Sequence, residues 1–197
     1  MYGDVPATKR RLRISFNAPV TLVYAALCVV ATLLGQLGGD AVNALLFSTY
    51  RSSLLDPLTY VRFFTHAIGH TSWEHLVGNM GYILLLGPML EEKYGSSTLV
   101  GVILVTAGVT GVLNSLLFPT TAIIGASGVA FAFILLASIT DLRDGEIPLT
   151  FILVAVLFLG QQVLGAVFGG ENVSYFGHIV GGLVGAGLGF LLADWHR

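Results

Sequence analysis

Charge is the scarcest property of this sequence. Of 197 residues, nine are Lys or Arg and eleven are Asp or Glu, 10% of the chain, where a soluble domain carries roughly 25%. That shortage excludes a surface solvated in the ordinary way. Positive charge is not in excess either: the formal net charge is -2, which excludes the basic face that nucleic-acid binding requires. Cysteine is nearly absent. Cys28 is the only one, so no internal disulfide can form, and its apolar surroundings mark it as a packing residue. What remains is apolar. Hydrophobic residues make up 55% and the mean hydropathy is +0.84, so the chain reads as an all-α, multi-pass membrane protein whose constant partner is the lipid bilayer.

A spanning helix needs about 20 mostly apolar residues. Six segments qualify as candidates, at roughly 18–37, 73–90, 98–118, 126–140, 149–168 and 175–193. The strings EEKYGSS, FPTTAIIG, DLRDGEIP and FGGENVS separate the later ones. The first run follows KRRLR, as a signal peptide would, but it is too long for such a core and lacks a small-residue cleavage site, so it reads as a retained helix. The chain thus divides into a cytoplasmic segment 1–17, a six-helix domain 18–193 and a cytoplasmic tail 194–197. Orientation follows from the cations. With the N-terminus inside, seven of the nine fall on cytoplasmic segments (Lys9, Arg10, Arg11, Arg13, Lys93, Arg143 and Arg197), leaving Arg51 and Arg62 outside. Both termini are therefore expected in the cytoplasm and the protein in the cell membrane. The stretch 38–72 is too polar to span and too apolar to float, and suits an interfacial hairpin or short helices in the outer leaflet, divided at Pro57.

Polar residues inside spans are the default functional candidates. The first group is Gly125-Ala126-Ser127-Gly128, opening the fourth span. A serine in an apolar helix commonly bonds back to the preceding turn and does nothing else. Depth argues for more. Ser127 lies fourteen residues before Asp141, which marks the inner end, hence ~21 Å from it and about 9 Å below the outer surface of a ~30 Å core. The loop before it must dip into the bilayer, which irregular backbone does only when buried in protein or lining a wet cavity. The helix start also offers free N–H groups and a positive dipole end to a developing oxyanion.

The second group lies in the sixth span, where His178 precedes Gly181, Gly185 and Gly189. Tight packing with a histidine bonded to a carbonyl is one reading. The other is that the glycine face brings His178 against a neighbouring helix at the height of Ser127, where it would serve as the base that a weak hydroxyl nucleophile needs. No carboxylate is placed to orient it, which suggests a dyad. The third group runs from His70 to Asn79. His75 and Asn79 are four apart on one helix face, and His70 lies just before it. Such side chains can complete an oxyanion hole. A metal site is the rival reading of His66, His70, Glu74 and His75, but the H-E-x-x-H register is missing.

Together these groups resemble the rhomboid family of intramembrane serine proteases. H-x-x-x-N in the second span is His75–Asn79, G-x-S-G is Gly125–Gly128, and A-H-x-x-G-x-x-x-G is Gly177–Gly185 with glycine in place of the alanine. The resemblance implies a six-transmembrane-helix bundle with an interfacial loop between helices 1 and 2. It implies a serine endopeptidase that cuts transmembrane segments near the outer face, with transmembrane protein substrates and neither cofactor nor metal. Residue by residue, Ser127 would be the nucleophile and His178 the base. The Ser127 amide, His70 and Asn79 would form the oxyanion hole, and His75 would support the site. Gly125, Gly128, Gly181 and Gly185 belong to the packing around it. Phe131 takes a position commonly tyrosine in the family and could stack on His178. Glu91 resembles a structural acid at the inner end of the second span, and Arg62 the arginine of a W-R pair whose tryptophan is here Val61. Other readings are an inactive relative that binds transmembrane helices, or a small channel or transporter.

Overall fold

The computed structural model of the chain describes residues 15–139, 146–168 and 175–195. Asp141, the reference for the depth of Ser127, lies outside the described residues, as do Lys9 to Arg13, Arg143 and Arg197. The described residues form helices α1 (Pro19–Val42), α2 (Pro57–Thr65), α3 (Trp73–Tyr94), α4 (Ser96–Leu117), α5 (Ser127–Ser138), α6 (Leu149–Phe168) and α7 (Tyr175–Trp195), with a π-helical turn at Asn43–Phe47. Thr49 and Ile123 form an isolated antiparallel β-bridge.

Local chemistry explains the boundaries. Pro19 and Pro57 each stand in the first turn of a helix, where a missing N–H costs nothing. Asp56 caps α2 by accepting from the Leu58 amide at 3.0 Å, and Ser72 caps α3 by accepting from the His75 amide at 3.1 Å. Gly95, at φ 84°, ends α3 and starts α4 in a conformation that favours glycine. The first helix runs beyond the expected Leu37 to Val42, with a break at Gly39.

α5 is the centre of the bundle. Ala132, Phe133, Leu135 and Leu136 are fully buried, and its neighbours are α7, α3, α4 and α6. α1 and α6 instead turn leucine and valine outward, with Leu37 at 85% and Leu157 at 65% exposure, a surface that suits lipid and not water. Among the described residues, four helical stretches are long and apolar enough to cross a membrane: Pro19–Phe47, Ser96–Leu117, Leu149–Phe168 and Tyr175–Leu192. α5 has only 12 residues, about 18 Å of helix, and α3 carries Glu74, His75 and Asn79 in its outer half. At the other end of α3, the buried Glu91 carboxylate accepts from the Val20 amide (2.9 Å), the Thr21 amide (3.0 Å), the Thr21 hydroxyl (2.9 Å) and the Ser96 hydroxyl (2.7 Å). One side chain thereby joins the starts of α1 and α4 to α3.

The segment between α1 and α3 is folded on polar contacts. Arg62, 2% exposed, donates to Asp56 (3.0 Å), Ser52 (3.0 Å) and Thr59 (3.3 Å), with its guanidinium over the Tyr50 ring. Tyr24 donates to the Ala67 carbonyl at 2.7 Å and Gln36 to that of Thr71 at 3.0 Å, strapping the segment to α1.

Candidate active site

The loop before α5 is held among the helices because other elements satisfy its backbone. Ile123 exchanges both backbone hydrogen bonds with Thr49 at 3.0 Å, and Asn114 of α4 donates to the Thr121 carbonyl at 2.9 Å. Lower down, the Gly125 amide donates to the His66 carbonyl at 2.8 Å and the Ala126 amide to His70 Nε2 at 3.4 Å. Gly125 has φ 137°, and a Cβ there would stand 2.7 Å from Cε1 of His75. Only glycine meets both demands. Ser127 follows as the first residue of α5, at the end of the helix where backbone N–H groups lack helical partners.

Ser127 opens onto a cavity of about 760 Å³. α3 contributes Glu74, His75, Asn79 and Tyr82, the loop residues 121–124, α5 Ala130 and Phe131, and α7 His178. A second, apolar groove between α1, α2 and α4 has Tyr24 as its only titratable group, and that hydroxyl is taken by Ala67. The chemistry therefore gathers in the first cavity.

Glycines set the approach of α7. A Cβ on Gly181 would overlap the Gly128 carbonyl, and one on Gly185 that of Ala132, so the two backbones are in contact. A Cβ on Gly128 would lie 3.4 Å from the Gly177 carbonyl. This pairing carries His178 to the same cavity as Ser127. Phe131 stacks flat on the imidazole, with centroids 4.6 Å apart and planes at 4°. Ser127 and His178 share the cavity without a direct hydrogen bond; such bonds between a nucleophile and its base tighten when substrate is bound.

The two histidines of the third group have different surroundings. His70 is fully buried. Its Nε2 faces the Ala126 amide, and its Nδ1 lies 3.2 Å from the Ile68 carbonyl and 3.4 Å from the Thr32 hydroxyl. The tautomer satisfying these partners has Nδ1–H donating and Nε2 accepting. Burial, reinforced by neighbouring His75, pushes its pKa down to about 4. The contact with the Ala126 amide ties the ring to the loop before α5. His75 and Asn79 face the cavity, and the Asn79 Nδ2 is buried without a hydrogen-bond partner. A buried amide donor left free is costly in a structural role, and it is available to an incoming oxygen. His66 lies beneath the loop, fully packed, with Nε2 3.1 Å from the Ala107 carbonyl; burial pushes its pKa down to about 4.

One contact had no counterpart in the motifs. Gln162 of α6 lies with Oε1 2.6 Å from His178 Nδ1. The available signal was compositional: Gln161 and Gln162 interrupt the apolar run LTFILVAVLFLGQQVLGAVF.

A family model described as "Rhomboid domain" matches residues 57–195. Rhomboid protease GlpG of Haemophilus influenzae is 27% identical over 177 residues, covering 87% of this chain and 90% of the relative. Rhomboid-like protein 11, chloroplastic, of Arabidopsis thaliana is 25% identical over 150 residues, covering 69% of this chain and 54% of the relative.

Proposed function

Because this chain belongs to the rhomboid family, we propose that it is an intramembrane serine endopeptidase that cuts transmembrane segments of other membrane proteins near the outer membrane face. The observation that carries the reading is one cavity shared by Ser127, His178 and Asn79, the last with an amide nitrogen that has no partner.

His178 Nε2 takes the Ser127 proton as Oγ attacks the scissile carbonyl, forming a tetrahedral intermediate. The oxyanion accepts hydrogen bonds from the Ser127 amide and Asn79 Nδ2. The geometry favours His75, which faces the cavity, over His70 as the third donor. His178 then gives its proton to the leaving amine, and water hydrolyses the acyl-enzyme by the same steps in reverse. Substrates are single-span proteins whose helices unwind readily at glycine, proline or polar residues, because a helix hides its own carbonyls. The domain at residues 18–193 crosses the membrane six times, with α5 at the centre of the bundle and both termini cytoplasmic. No cofactor or metal takes part.

Purified protein in liposomes should cleave a single-span substrate, and Ser127→Ala should abolish cleavage without altering the thermal melt. Substantial turnover by Ser127→Ala would sink the assignment. The missing Ser127–His178 hydrogen bond favours a second reading, a helix-binding relative without activity; that protein would bind the substrate and never cut it.

A further inference from the structure

α6 has three residues with polar side chains: Thr150, Gln161 and Gln162. Gln161 is exposed, whereas Gln162 is the one buried residue of the helix. In a spanning helix a buried amide must find partners within the protein. Gln162 finds His178, with Oε1 2.6 Å from Nδ1, a short contact even for a charge-assisted bond.

The face of α6 that bears Gln162 is packed. Phe158, one turn earlier, meets Tyr82 and Phe131 edge-on, at centroid distances of 6.4 and 6.0 Å. A Cβ on Gly182 would stand 2.7 Å from Leu159, and one on Gly165 would overlap the Tyr175 ring. Gln162 is therefore held against α7 on both sides along the helix.

The imidazole is thus restrained twice. Phe131 covers one face of the ring, and Gln162 occupies the Nδ1 edge. An amide oxygen only accepts, so Nδ1 must carry the proton. A neutral imidazole with Nδ1–H has a bare Nε2, the nitrogen left free for Ser127.

Resting on the serine-protease reading above, we infer that Gln162 is a positioning residue of the Ser127–His178 pair: it accepts Nδ1–H and fixes the tautomer in which Nε2 is the base. When Nε2 takes the Ser127 proton, the ring becomes an imidazolium. Nδ1–H stays on Nδ1, facing the carbonyl dipole of Gln162. The proton gained at Nε2 leaves with the amine. Gln162 neither gains nor loses a proton. The arrangement does with a neutral amide what a carboxylate does in a three-residue system, with less stabilisation of the cation.

Three measurements on the full-length protein in liposomes test this. Gln162→Met keeps the length of the side chain and removes the acceptor. Its kcat should fall about 10- to 100-fold, part of the 10²- to 10⁴-fold that general base catalysis supplies, with KM unchanged. Gln162→Glu restores an acceptor and adds negative charge beside the imidazolium. It should recover turnover at high pH and move the acid limb of the kcat profile upward by about one pH unit or more. The titratable groups sharing the cavity with His178 are Glu74, His75 and Tyr82, all on α3, and neither variant changes them. ¹⁵N-histidine spectra, assigned by difference from His178→Ala, should give Nδ1–H in the wild type and a mixture of tautomers in Gln162→Met. If the wild type cleaves while Gln162→Met keeps its kcat and its tautomer, or Gln162→Glu leaves the acid limb in place, Gln162 has no positioning role. If the wild type neither cleaves substrate nor reacts with a serine probe, the protease reading falls, and the positioning role with it.

Discussion

The two sides of the cavity are built by different physics. On the α5–α7 side, backbone lies on backbone: Gly181 against Gly128 and Gly185 against Ala132, with no room for a Cβ. On the α3 side, a polar lattice holds the segment between α1 and α3 and the loop beneath it, through Arg62, His66, His70, Thr49 and Asn114. Ser127 and His178 belong to the first side, and Asn79 and His75, proposed as oxyanion donors, face them from α3. Steric packing fixes a distance between two helices and tolerates no larger residue. A hydrogen-bond lattice fixes irregular backbone that has no ladder of its own. Two side chains brought together from separate helices need the first, and irregular backbone packed among helices needs the second.

The largest effect should come from breaking the packed side. Gly181→Leu or Gly185→Leu places a side chain where a carbonyl already stands, so the helices must part. Overpacking typically costs about 1–3 kcal/mol, and contact between two backbones leaves little room to relax. Activity should be lost and the thermal midpoint should fall. Unchanged melting and full turnover in both variants would contradict the packing account.

The next largest should separate the cavity from its support. Asn79→Ala removes an amide nitrogen that has no internal partner. It should cost about 10²- to 10³-fold in turnover, the range for one oxyanion donor, with little change in substrate affinity or melting. His70→Ala removes the acceptor for the Ala126 amide. It should lower melting and turnover together. If His70→Ala slows turnover with melting intact while Asn79→Ala is silent, the two roles are reversed.

The smallest effect is in pH. His66 and His70 have pKa values near 4 in the folded protein, against an ordinary value of about 6.5. Between these values the unfolded chain binds more protons than the folded one. Their contribution is therefore complete above about pH 6.5 and declines as pH falls towards 4. Melting measured from pH 7.5 to 4.5 should drop across that window, and replacing both with Gln should flatten the drop. An equally steep decline in the double variant would assign the acid sensitivity elsewhere.

The packed side was the more legible in the sequence. Glycines at 181, 185 and 189 with His178 repeat at helical spacing, and a glycine's lack of a side chain is itself the message. Gly125 to Gly128 marked the start of the fourth span. The stacking of Phe131 on His178 was expected from the family resemblance of its position, one turn after Ser127. The polar side was less so. His70 and His75 stand in one short string, and spacing alone carries no record of which ring faces the cavity and which is enclosed under Ala126. Gln162 was invisible to motif reading because its contact crosses from α6 to α7, sixteen residues apart in sequence, and depends on how the two helices are rotated. The extension of α1 to Val42 was hidden by Gly38, Gly39 and Asp40, which read as a helix end when taken locally.

The most direct test of the account is covalent. A fluorophosphonate reacts with a serine only when a base activates the hydroxyl, so its adduct reports the pair itself, without reference to substrate. Labelling of the purified wild type, followed by peptide mass spectrometry, should put the adduct on Ser127, and His178→Ala should slow labelling by about 10²-fold or more. No adduct on Ser127, or the same labelling rate in His178→Ala, would contradict it.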